Sequence, residues 1–180
     1  MGNFAKQDVL VALLRSHEAY FDVSRDYEYA GRQFVGYAEF RSQNERPAPT
    51  KHANLWEADA FEYIFFDATD HLNDSWIDEA YRFMTTEATN KVVPDENHTT
   101  SCVSLIAVVD SADEKSLAKI QKMRFRKNYN LGFRGWVDLR MAVVDLSSME
   151  VTTNGMGKEI KPTLRACIRT MQRASEKAQE

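Results

Sequence analysis

Two aspartates raise the first chemical question. Asp110 and Asp145 each close a copy of the tetrapeptide Ala-Val-Val-Asp, at 107–110 and 142–145. Each copy ends a β-branched run, and a helical pattern lies between them. That order predicts two parallel strands joined by a right-handed crossover. Both carboxylates then reach the carboxyl edge of the sheet, where α/β proteins bind ligands. Together they could hold Mg²⁺ or Mn²⁺ with waters and a phosphate. That would suit a metal-dependent phosphoryl- or phosphodiester-acting enzyme. A local reading competes. Asp110 precedes a helix start with capping-box spacing, Ser111-Ala-Asp-Glu114, and Asp145 precedes Ser147-Ser148. Each carboxylate could simply cap a turn.

Glu62 is the third catalytic candidate. It falls on the apolar face of a predicted strand, where a carboxylate is costly unless paired. It could serve as a metal ligand or general base beside Glu39 or Asp59, although both are expected on the opposite faces of their strands. It could equally form a salt bridge with Arg41 or Arg140. A divalent-metal nuclease core would also need Glu-x-Lys on a neighbouring strand, and none follows.

The stretch Arg124-Phe-Arg-Lys-Asn-Tyr129, with Phe133, Arg134 and Trp136, interleaves cations with aromatic rings. Arg124, Arg126, Lys127 and Arg134 form a candidate anion-binding set, suited to single-stranded nucleic acid through phosphate contact and stacking. The alternative is a solvated helix end, with Phe125, Tyr129 and Trp136 packed on the sheet. The four histidines share no metal-ligand spacing. No Gly-x-Ser-x-Gly, P-loop or Gly-x-Gly-x-x-Gly is present.

The elements that must position these residues are legible as periodicity. Helices are expected over Phe4–Phe21, Asn73–Ala88, Ser111 to about Met123, and Lys158 to about Lys177. Strands are expected over Gln33–Ser42, Ala53–Asp67, Thr99–Asp110, Trp136–Leu146 and Glu150–Thr153, with a short β-like piece at Asn128–Phe133. Residues 1–32 form an N-terminal helix and link, and 43–52, with Pro47 and Pro49, an exposed loop. The fold class is α+β or α/β: a mixed sheet of about five strands with about four helices, in the order α-β-β-α-β-α-β-β-α, in one globular domain over 1–180.

Composition narrows the function. With 43% apolar and 28% charged residues, the chain can bury a core and is not disordered. A net charge of -4 gives no global signal for nucleic acid or membrane. Charge is nonetheless segregated. Asn54–His98 is acidic and Lys115–Met141 basic. No signal-peptide core and no spanning run of about 20 apolar residues occurs, so a cytoplasmic protein without a membrane partner is expected. Cys102 and Cys167 read as buried reduced thiols.

The segments Gly135-Trp-Val-Asp-Leu-Arg140, Val143-Val-Asp-Leu146 and Thr153-Asn154-x-x-Gly157 resemble a signature in a family of small uncharacterised bacterial proteins. The Leu55-Trp-Glu57 to Phe65-Phe66 strand and the Pro94–His98 loop are similar to it too. The resemblance covers most of the chain after about residue 34. It implies a small cytosolic bacterial protein and brings no activity or catalytic residue. With no catalytic motif in the sequence, the leading expectation is a non-catalytic cytosolic binding or protein-interaction domain. A homodimer and an anionic ligand at the basic stretch are its candidate partners, and the metal-dependent enzyme is the alternative.

Overall fold

The computed structural model describes residues 4–41, 60–94 and 98–177. The expected loop at 43–52, the first part of the strand expected from Ala53, and residues 95–97 of the Pro94–His98 loop lie outside them. Four helices, α1 (Lys6–His17), α2 (Asp74–Thr86), α3 (Glu114–Lys122) and α4 (Lys161–Lys177), cover one open mixed sheet. Its strands are β1 (Asp22–Tyr29), β2 (Arg32–Arg41), β3 (Ala60–Leu72), β4 (Thr100–Ala112), β5 (Arg126–Asn128), β6 (Trp136–Asp145) and β7 (Glu150–Thr153). The spatial order is β1-β2-β3-β4-β6-β5, and β7 also pairs with β6. β3, β4 and β6 are mutually parallel, and all other pairings are antiparallel.

Among the described residues the sheet has seven strands rather than about five. The clearest addition is β1, within a segment expected to be an irregular link. Its sequence, Asp-Val-Ser-Arg-Asp-Tyr-Glu-Tyr, is polar because the strand is an exposed edge. Ala30 (φ 49) and Gly31 (φ 76) supply the two left-handed residues that a tight hairpin turn needs. The β-like piece expected at 128–133 is instead β5, two residues earlier, followed by a turn.

Alternation along the central strands makes two cores. On one face Val103, Leu105, Ala107 and Val109 of β4 pack with Ile77, Ala80 and Met84 of α2 and Ile120 of α3. On the other, Ile106 and Val108 pack with Val9, Leu10, Leu13 and Leu14 of α1 and Leu164 and Ile168 of α4. β4 is apolar on both faces because helices cover both. Its strand runs on to Ala112, so the cap of α3 is Asp113, whose side chain accepts from Ser116 N at 2.7 Å, and not Ser111. The caps of α2 and α3 thus fix the ends of both crossovers; for α2, Asn73 accepts from Trp76 N at 2.9 Å.

Candidate functional site at the 124–136 turn

The carboxyl edge comes first. Val109 lies opposite Asp145 in the β4–β6 register, so both candidate aspartates do reach this edge. They lie on opposite faces of the sheet. Asp145 continues the Val143 side, toward α2 and α3, and Asp110 continues the Val108 side, toward α1 and α4. Asp145 is buried and caps its own turn, accepting from Ser147 N (2.9 Å), Ser147 Oγ (2.7 Å) and Ser148 Oγ (2.8 Å). Asp110 accepts from Lys6 Nζ at 2.8 Å, and Lys6 also holds Asp70. Burial by itself would lower the Lys6 ammonium, but its bonds to Asp110 and Asp70 outweigh that and raise it. Among the described residues no group of three or more His, Cys, Asp or Glu side chains could hold a metal.

Glu62 is buried, and Arg140 Nη1 donates to it at 2.8 Å, as the salt-bridge reading expected. Arg140 Nη2 donates to Glu159 at 2.6 Å. Between these partners in the sheet sits Cys102, whose thiol burial pushes up to about 12. It is protonated at neutral pH and a poor nucleophile. Cys167 is half-buried, and its thiol is raised by the same cause. Ser104 Oγ and Arg140 Nε, on register partners, are buried without a hydrogen-bond partner.

His17 closes the other side of this region. Its ring stands edge-on to Phe21 and Phe66, and Nδ1 donates to the Leu13 carbonyl at 2.8 Å. Burial holds the imidazole below its ordinary range, against the Leu13 bond and the Glu62 charge. An unfolded histidine protonates near pH 6.5. Between that pH and the lower folded value the unfolded chain carries more protons, so stability falls as pH drops through this window and holds above it. The melting temperature should therefore fall between pH 7 and pH 5. His17→Phe should lose this component, as thermal melts at both pH values will show.

The basic stretch occupies β5 and the turn joining it to β6. Arg126 forms a fork on Asp138, with Nε and Nη2 each at 2.7 Å from a carboxylate oxygen. Its guanidinium stands 5.0 Å from the Trp136 ring, and Trp136 Nε1 also donates to Asp138 at 3.1 Å. Arg126 is thus neutralised in place. The Arg124, Lys127 and Arg134 side chains are exposed, with Lys127 Nζ 5.4 Å from the Tyr129 ring. Phe125 and Tyr129 pack against the core, as the alternative reading expected.

The turn is held rigidly at its base. His98 is buried and bridges two elements. Nδ1 donates to the Arg134 carbonyl at 2.7 Å, which leaves Nε2 to accept from Ser101 Oγ at 2.8 Å. Gly135 (φ 72) runs so close to β4 that a Cβ there would lie 2.1 Å from the Thr99 carbonyl oxygen. Tyr129 N donates to Gly135 O, and Gly132 N to Tyr129 O, both at 2.9 Å. At the tip, Asn130 (φ 48) and Leu131 (φ 56) are both left-handed, and Leu131 and Phe133 are 93% and 84% exposed. The sequence reading missed this display. Its only signal was Asn-Leu-Gly followed by Gly135, a turn composition that leaves the intervening apolar side chains nowhere to pack.

Residues 5–166 match the family described as a domain of unknown function (DUF8052), so the chain belongs to that family. No curated protein and no solved structure matches it. No helix among the described residues is long and apolar enough to cross a membrane.

Proposed function

We propose that this protein is a non-catalytic, cytoplasmic bacterial interaction domain that grips a protein partner through the 124–136 turn. One observation carries the reading: Leu131 is almost wholly exposed in a left-handed backbone. A left-handed conformation costs an L-residue about 1 kcal/mol or more. Burial at this position returns nothing to the fold, and strain of this kind concentrates at functional sites. Phe133 adds a second bare apolar anchor, and the exposed Lys127 and Arg134, in and beside the same turn, add positive charge. An apolar centre with a charged rim is the anatomy of a protein-binding hot spot.

Leu131→Gly should relieve the strain and raise the melting temperature by about 2–4 °C. The double variant Leu131→Ser, Phe133→Ser should melt within about 2 °C of wild type, because neither side chain is buried. In affinity capture from the native cytoplasm, the same double variant should lose a protein that the wild type retains. Equal retention by the two chains would contradict the assignment.

The enzyme alternative would draw on Asp110 and Asp145, or on Glu62; the two aspartates on opposite faces of the sheet and the pairing of Glu62 with Arg140 favour the binding reading over it. Millimolar Mn²⁺ is accordingly expected to leave the melting temperature unchanged. A rise abolished by Asp110→Asn, Asp145→Asn would restore the enzyme reading.

A further inference from the structure

α4 carries a second charged surface, far in sequence from the turn. Lys161, Arg165, Arg169, Arg173 and Lys177 recur at intervals of four residues, and Glu176 is the only acid in the helix. At about 1.5 Å rise per residue, such residues form one ridge with about 6 Å between steps. Leu164 and Ile168 are buried in the core, whereas Arg169, Arg173 and Lys177 are exposed and Lys161 and Arg165 half-exposed beside that buried stripe. Like charges at this spacing weaken a helix. Cations in the first turn also oppose the helix dipole, and no acidic residue offsets Lys161 there. Only Arg165 has an ion-pair partner, Glu150 at 2.7 Å, among the described residues. The chain as a whole is acidic, so a concentrated cationic ridge is not a by-product of composition.

Two adjoining concavities flank the ridge and share Arg165 and Arg169. Lys158, Lys161 and Pro162 line one, and Ser148, Met149 and Glu150 the other. We infer that the α4 ridge binds the phosphodiester backbone of a nucleic acid duplex, without reading its sequence. The choice of partner follows from what the surface presents. The large exposed apolar side chains among the described residues are Tyr20, Val93, Leu131 and Phe133, and none is on α4. A protein hot spot or a membrane-inserting face would need such anchors. Single-stranded nucleic acid is held by stacking on aromatic rings, and no aromatic residue lines either concavity. Arginines at regular steps suit successive phosphates, which they can contact in fork geometry.

The test is fluorescence anisotropy of the full chain with a labelled 20-base-pair duplex across a salt series. Neutralising one phosphate contributes a slope of about −0.9 in log K against log salt, so Lys158, Lys161, Arg169 and Arg173 together predict about −3.6. Lys161→Gln, Arg169→Gln, Arg173→Gln should flatten the slope to about −1 and weaken binding at least tenfold at low salt, with an unchanged melting temperature. Should that variant melt lower, Arg173→Gln by itself should still flatten the slope by about 0.9. Leu131→Ser, Phe133→Ser should bind the duplex as wild type does. Absence of binding at about 20 mM salt, where the Debye length exceeds about 20 Å, would overturn the proposal. So would binding that survives the triple variant, or equal competition by polyglutamate or phosphatidylserine vesicles.

Discussion

Asn154→Asp should unfold the domain or lower its melting temperature by about 10 °C or more. Asn154 is fully buried. Its Oδ1 accepts from Met141 N at 3.0 Å and Gly157 N at 2.9 Å, and its Nδ2 donates to Leu139 O at 2.9 Å and Met123 O at 3.3 Å. One amide thus ties β6, the end of α3 and the turn that leads into α4. Gly157 completes the device, since a Cβ there would lie 2.8 Å from the Met141 carbonyl oxygen. The aspartate has the same shape but only acceptors, so it sets oxygen against two carbonyl oxygens and buries a charge. Losing two donated bonds and desolvating that charge should cost about 4 kcal/mol or more. A domain of this size loses about 2–4 °C per kcal/mol. Thermal melts followed by circular dichroism will measure this, and a variant within 2 °C of wild type would contradict the assigned role.

Arg140→Met is the second large effect, expected at about 3–5 kcal/mol. It strands Glu62, whose side chain is 10% exposed, without its cation. Removing one partner of a buried pair leaves an uncompensated charge, whereas replacing both with apolar residues is often neutral. The double variant Glu62→Leu, Arg140→Met should therefore recover most of the lost stability. The deficit of the single variant should also depend on pH. A stranded buried carboxyl has its folded pKa raised above the unfolded value near 4.3. Its penalty is then absent at low pH, where both states are protonated, and grows as pH rises through and above that range. Melts at pH 4 and pH 7 should show a small and a large deficit, respectively. Equal deficits would mean that Glu62 is not the group left unpaired.

The two halves of the molecule differ in how far they could be read from sequence. The parallel centre was legible because Thr99–Asp110 and Trp136–Leu146 are apolar runs with a helical pattern between them. β4 and β6 lie where those runs predicted. The hairpin partner β2 was legible from alternation, and the register pairing Gly36 with Phe66 and Arg41 with Phe61 follows it. β1 was not, because an exposed edge strand has no apolar stripe, and its Tyr27 and Tyr29 read as an aromatic link. The site was half legible. Periodicity brought Asp110 and Asp145 to one edge, but the face each occupies depends on counting from Val109 and Val143, one residue out of step. Asn154-x-x-Gly157 stood out as a pattern, yet its work lies in four partners spread from Met123 to Gly157. Exposure of Leu131 and Phe133 went unread despite the turn composition around them, since apolar residues in a short β-like segment predict packing.

The central claim is that this turn is where a partner sits. Site-specific photocrosslinking tests it most directly, with benzoylphenylalanine replacing Phe133 in the full chain and, as a control, the exposed Tyr20. Irradiation in the native cells should give one discrete protein adduct from position 133, absent from position 20 and lost when Leu131→Ser is added. No adduct at 133, or the same adduct from both positions, would contradict the account.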